Sequence, residues 1–164
     1  MSQVALITDS TNDLPVDLRE KYRIRSVPLT IVWGDDQFLD GIEITPEEFY
    51  KRLGNTPHHP TTSQPTPQDF TRAYEEALAE GADEILVVTI SGAMSGTIES
   101  ARAAAETFRA PVRVLDSKSN SMSLGWQVLA AARAREAGGS LDEMVLAAEE
   151  VRGRLHYHIV LDTL

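Results

Sequence analysis

Along the chain, short apolar runs alternate with stretches of helical period. Residues 4–8 form an apolar run ahead of a helical pattern at 15–21, residues 85–90 lead into 94–108, and residues 112–116 lead into 121–137. Buried runs each followed by an amphipathic stretch predict βα units, and hence an α/β domain on a parallel sheet. Between the first two units, residues 24–33 are β-rich. Gly34-Asp35-Asp36-Gln37 then reads as a turn and Phe38-Leu39 as a return strand, so a hairpin is expected there.

Punctuation along the chain sharpens this outline. Thr45-Pro46-Glu47-Glu48 and Thr66-Pro67-Gln68-Asp69 each place a capping hydroxyl before a proline at the first helical position, with an acid at the third, so both predict helix starts. The tract 54–67 holds Pro57, Pro60, Pro65 and Pro67 and is expected to be an ordered loop or a lid without regular structure. After Gly138-Gly139 a helix is expected over 140–152, followed by a strand over 155–164.

Composition narrows the classes of function. A chain of 164 residues, 42% of them hydrophobic, is sized for one packed globular domain. With 25 acidic against 15 basic side chains, the net charge of -10 repels a phosphate backbone, so nucleic acid is not an expected partner. The chain has no cysteine, which excludes disulfides, thiol catalysis and thiolate metal sites. No run approaches the roughly 18 apolar residues of a membrane span, so stable membrane insertion is not expected. Met1-Ser2-Gln3 enters an apolar run without the basic start of a secretory signal, which reads as cytoplasmic.

Candidate chemistry lies where α/β folds place ligands, beyond the carboxyl ends of strands. Ser91-Gly92-Ala93-Met94-Ser95-Gly96-Thr97 follows a predicted strand and opens a helix. There, glycine lets backbone come close while amides and hydroxyls point outward, a nest suited to a carboxylate. Simple helix capping is the alternative, although two glycines and three hydroxyls exceed what a cap requires. Asp9-Ser10-Thr11 could be a metal or acid–base site, or could satisfy backbone amides at the turn. Thr62-Ser63-Gln64 is a further candidate, whereas Asp116-Ser117 reads first as a structural cap.

Other chemistries find little support. Adjacent His58 and His59 point apart and read as exposed loop residues; His156 and His158 share one face of the expected final strand but lack a third ligand. No G-x-S-x-G elbow, P-loop or dinucleotide glycine pattern occurs. No cofactor, metal or catalytic residue is therefore expected. The enzymatic alternative is a metal-dependent hydrolase or phosphotransferase using Asp9 and Asp116 around a divalent ion. A third possibility is a chain without ligand that self-associates through exposed apolar surface.

Five motifs in order carry a resemblance: Ile7-Thr8-Asp9-Ser10-Thr11 with Asp13-Leu14, then Val27-Pro28-Leu29, Thr62-Ser63-Gln64-Pro65, Met94-Ser95-Gly96-Thr97, and Asp116-Ser117 with Ser121-Met122. Together they resemble the DegV family. Ala93 and Ser123 stand where that family often has glycine, and Asn120 where it commonly has an apolar residue.

The resemblance implies a two-domain protein that holds a long-chain fatty acid between its domains. It carries over Thr62 and Ser95 as hydroxyls that hold the carboxylate; with them Ser63, Ser91, Gly96, Thr97, Asp9 and Ser10 make up the expected ligand-binding set. It further implies a lipid-binding accessory protein rather than an enzyme, one that presents the acyl carboxylate to a separate fatty-acid kinase and so serves phospholipid synthesis. The expected fold is a three-layer, parallel-sheet N-terminal α/β domain over residues 1–151. Residues 152–164 would begin a second domain that is cut short.

Overall fold

The computed structural model describes residues 3–56 and 58–160. Strand β1 (Val4–Asp9) is followed by a 3-10 turn (Ser10–Asn12) and helix α1 (Val16–Lys21). Next come β2 (Ile24–Val27), β3 (Thr30–Trp33), β4 (Asp36–Leu39), α2 (Pro46–Leu53) and β5 (Thr61–Ser63). The chain continues through α3 (Pro67–Ala79), β6 (Glu84–Thr89), α4 (Thr97–Glu106), β7 (Val112–Asp116), α5 (Ser121–Glu136) and α6 (Leu141–Arg154).

The expected parallel sheet is present, with strand order β2-β1-β6-β7 and every pairing parallel. Alternation along the strands decides the layers, since successive side chains point to opposite faces. Leu6, Leu86 and Val88 face one way, into a core with Leu124 and Val128 of α5 and Met144 and Val145 of α6. Ile7, Ile85 and Val87 face the other way, against Phe70, Tyr74 and Ala77 of α3 and Ala101 and Ala104 of α4. Helices thus cover both faces, which is the three-layer arrangement. Because β6 is buried on both faces it reads as one continuous apolar run, as central parallel strands do.

The order β2-β1-β6-β7 puts β1 beside β6, with the chain running outward from each: β1 to β2 on one side, β6 to β7 on the other. The crevice beyond the carboxyl ends of β1 and β6 is therefore the topological switch point.

The capping boxes at Thr45 and Thr66 form as expected, and Ser140 makes a third with Glu143. The hairpin also forms, as β3 and β4.

One expectation is refined by the structure and three differ from it. The β-rich segment 24–33 is two strands in two different sheets: at Pro28 the chain leaves the parallel ladder, and the Leu29 amide instead donates to Ser10 Oγ at 3.1 Å. The proline-rich tract 54–67 does contain a regular element. Pro60 and Pro65 bracket β5 but leave the amides of residues 61–63 free, and β5 pairs antiparallel with β3 in a separate sheet ordered β4-β3-β5. Helix α4 begins at Thr97 rather than at residue 94, because Met94 and Ser95 donate to the Ser91 carbonyl in a turn of their own. Finally, residues 155–160 are not a strand. Ile159 and Val160 are exposed and find no ladder partner among the described residues; the rest of that expected strand, 161–164, lies outside them.

Candidate functional site

Asp9 ends β1 with its side chain fully buried at the switch point. Its Oδ1 accepts from the Thr11 amide at 3.0 Å and the Thr11 hydroxyl at 2.6 Å, while its Oδ2 accepts from the Ile90 amide at 2.6 Å. Burial lifts its carboxyl above the usual value, against the opposing pull of these hydrogen bonds. Asp9 thus joins the end of β1 to the end of β6.

Ser10 is engaged in a similar way: its hydroxyl donates to Asp40 Oδ2 at 2.7 Å and accepts from the Leu29 amide. Asp116, at the end of β7, accepts through Oδ1 from the amides of Gly92 at 3.2 Å and Lys118 at 2.8 Å. Both aspartates that a metal-dependent chemistry would need are holding backbone donors. Among the described residues, no group of three or more His, Cys, Asp or Glu side chains is placed to hold a metal ion.

The loop 91–97 differs from an open nest. The Gly92 amide is taken by Asp116, that of Ala93 by Ser91 Oγ, and those of Met94 and Ser95 by the Ser91 carbonyl; Thr97 donates to Ser95 Oγ at 3.3 Å. These five amides are therefore engaged within the chain, and of the loop's three hydroxyls only that of Ser95 is partly accessible. Ser95 Oγ lies 2.9 Å from Thr97 Oγ1; Ser95 is half-buried, whereas Thr97 and Ser91 are buried.

Thr62 and Ser63 lie on β5 and are exposed. Immediately after them Gln64 turns onto α4, where its Nε2 donates to Ser100 Oγ at 3.2 Å and its amide rests against Gly96. The T-S-Q segment and the S-G-T segment, 31 residues apart in sequence at their nearest ends (Gln64 and Ser95), are so brought together at the start of α4. Of the eight expected residues, Thr62 and Ser63 are exposed on opposite faces of β5, Ser95 is half-buried on the facing loop, and Gly96 lies within the junction. Ser91 and Thr97 support it from beneath, and Asp9 and Ser10 brace the adjoining strand ends.

Sequence reasoning gave no role to Gln127. Fully buried on α5, it donates through Nε2 to the Ser117 carbonyl at 3.1 Å, Ser119 Oγ at 3.1 Å and the Ser123 carbonyl at 3.0 Å. Its signal was present in the sequence: one amide among Leu124, Val128 and Leu129, on an otherwise apolar face. Asn12 was likewise missed. It holds the turn after β1 by donating to the Asp9 carbonyl at 2.7 Å and accepting from the Leu14 amide at 2.8 Å.

His58 and His59 are exposed, as expected of loop residues. His156 and His158 lie on the irregular segment after α6, where the neighbouring Tyr157 hydroxyl donates to Asn120 Oδ1. A large cavity of about 650 Å³ opens at the opposite end of the parallel sheet, between the starts of β1 and β2 and the last turns of α3 and α5. Helix carbonyl ends converge there, which favours the arginines that line it. Arg135 donates to the carbonyls of Val4 and Tyr22, so this pole is a structural seam away from the hydroxyl junction. No helix among the described residues is long and apolar enough to cross a membrane.

Residues 3–164 match the model of a family described as uncharacterised proteins of the DegV family. A DegV domain-containing protein of Streptomyces coelicolor is 40% identical over 161 residues, covering 98% of this chain and 57% of that protein. Among solved structures, a DegV family protein from Thermus thermophilus described by its fatty-acid binding is 42% identical with a TM-score of 0.83, over 92% of this chain and 54% of that one. The fatty-acid-binding protein DegV of Bacillus subtilis is 30% identical with a TM-score of 0.88, over 93% of this chain and 55% of that one. The chain thus spans little more than half the length of these relatives.

Proposed function

Because this chain belongs to the DegV family, we propose that it holds a long-chain fatty acid by its carboxylate and acts as a lipid-binding accessory protein rather than as an enzyme. The observation that supports this most directly is the junction of β5 with the start of α4. It brings the strand that carries Thr62 and Ser63 up to the loop that carries Ser95, on the side of the switch point where open α/β sheets bind ligands. Relatives described as binding fatty acids share the fold around it.

The chemistry of the junction suits the role. Hydroxyl donors can hold a carboxylate by hydrogen bonds without neutralising it, so an oxygen keeps its nucleophilic character. A carboxylate held this way could be presented to a separate fatty-acid kinase in the cytoplasm and phosphorylated there, feeding phospholipid synthesis. The acyl tail would contribute most of the affinity, at about 0.8 kcal/mol per buried methylene.

Native mass spectrometry of the purified chain, followed by denaturing extraction and lipid identification, tests this reading. A stoichiometric fatty acid is expected, and Thr62→Ala combined with Ser95→Ala is expected to lose it. A chain that takes up no fatty acid, even when one is supplied, would overturn the carrier role.

A further inference from the structure

We infer that Gln64 is a positioning residue that sets the spacing of the carboxylate cradle by clamping β5 onto the start of α4. The inference rests on the carrier reading and adds to it the device that brings the two hydroxyl-bearing segments into one site.

The sheet β4-β3-β5 has its own small core of Ile31, Trp33 and Ile44, separate from the two cores of the parallel sheet. It joins the body of the protein through two short links, 28–29 and 64–66. Among the described residues, side-chain hydrogen bonds fasten it at two places: Ser10 to Asp40 beside the first link, and Gln64 to Ser100 beside the second. Only the second bears directly on the cradle, because Gln64 immediately follows Thr62 and Ser63 while Ser95 and Thr97 flank the glycine it touches.

The contact is unusually close. A Cβ at position 96 would lie 2.3 Å from Gln64 Oε1, 2.9 Å from Nε2 and 3.0 Å from Cδ, so the whole amide group rests on the Gly96 backbone. Gly96 has φ -74 and ψ 11, a conformation open to any residue. The backbone at position 96 would thus accept a side chain, but its Cβ would have to displace the Gln64 amide. The far end of the same amide reaches Ser100, which is itself buried in α4, so the clamp ends on a buried side chain of the helix. Moving Gln64 would shift the exposed hydroxyls of Thr62 and Ser63 relative to that of Ser95, while the three hydroxyls themselves remained in place on their own elements.

The test compares binding of palmitate with binding of hexadecanol, which carries the same tail without the carboxylate, in the full chain. Gln64→Ala is expected to weaken palmitate about tenfold, the scale of one lost hydrogen bond to a charged group, while changing hexadecanol little. Gly96→Ala is expected to do the same by displacing the amide, and the double variant to be no worse than either single one, since both remove one contact. Should Gly96→Ala fail to fold, Gln64→Met keeps the side-chain length, removes the amide and carries the same readout. Equal losses for palmitate and hexadecanol, or additive losses in the double variant, would overturn the clamp in favour of general loosening. If the chain binds palmitate and Thr62→Ala with Ser95→Ala abolishes it while Gln64→Ala behaves as wild type, the clamp falls and the carrier reading stands. If the unaltered chain binds no palmitate, both fall.

Discussion

Asp9 shows how one side chain can look catalytic in sequence and be structural in space. An acid at the carboxyl end of the first strand is where a metal-dependent enzyme would place one, yet its two oxygens are taken by Thr11 and by the Ile90 amide. Replacing it with asparagine turns one acceptor into a donor facing the Ile90 or the Thr11 amide, and is expected to cost about 1–3 kcal/mol of stability, read from urea unfolding. The pH dependence has a definite sign. Burial raises the carboxyl above its ordinary value of 3.8, so the folded state holds the proton to higher pH than the unfolded state does. Its stabilisation is fully present below that value and declines as pH rises through the folded pKa. The gap between wild type and Asp9→Asn is therefore expected to narrow toward neutral pH; a gap that widens would show that the hydrogen bonds outweigh burial.

Among the elements, the helix starts carry the clearest agreement between pattern and structure. Thr66 and Asp69 cap α3 reciprocally, and Thr66→Ala is expected to destabilise the fold by about 1 kcal/mol in chemical denaturation. In the corresponding box on α6, the Ser140 amide and hydroxyl lower the Glu143 carboxyl below its ordinary value of 4.5. That contribution is present above 4.5 and lost as pH falls through the folded pKa, so melting curves of wild type and Glu143→Gln should converge in acid. Helix α5 makes a different demand. A Cβ on Gly125 would lie 2.6 Å from the Asn12 carbonyl oxygen and 3.1 Å from Leu14 Cδ2, so the helix is pressed onto the turn after β1. Gly125→Ala is expected to destabilise by about 1–3 kcal/mol through overpacking. Nothing in the local sequence marks that glycine, because its neighbour across the gap is remote in the chain.

At the scale of the whole molecule, the two sheets should differ in stability. Strand β6 is paired on both sides, and its residues Ile85, Leu86, Val87 and Val88 are all fully buried, whereas β3 and its partners share only the small core around Trp33. Hydrogen exchange is expected to be fastest in β3, β4 and β5 and slowest in β1 and β6. Uniform protection would mean that the small sheet is as firmly held as the body, leaving the Gln64 clamp little to do.

The alternation of apolar runs and helical stretches, the capping boxes and the Gly34 turn were enough by themselves to predict an α/β fold with a parallel sheet and a hairpin, because periodicity and capping are local and each is written within a few residues. The hydroxyl-bearing motifs were equally visible as sequence. Which of them meet came only through the family resemblance, which joins Thr62 to Ser95; periodicity and spacing could not show it, since strand order and the departure of the chain from the ladder at Pro28 depend on pairings between distant segments. The last expected strand failed for the same reason: alternation predicts that residues can be extended, and only a partner makes them a strand. The local amides that Asp9 and Asp116 accept from were legible as turn caps. The tertiary structure alone decided that Asp9 would also take the Ile90 amide, that Asp116 would take that of Gly92, and that Gln64 would rest on Gly96. In each case the two groups lie in different segments and touch only once the sheet has set its order.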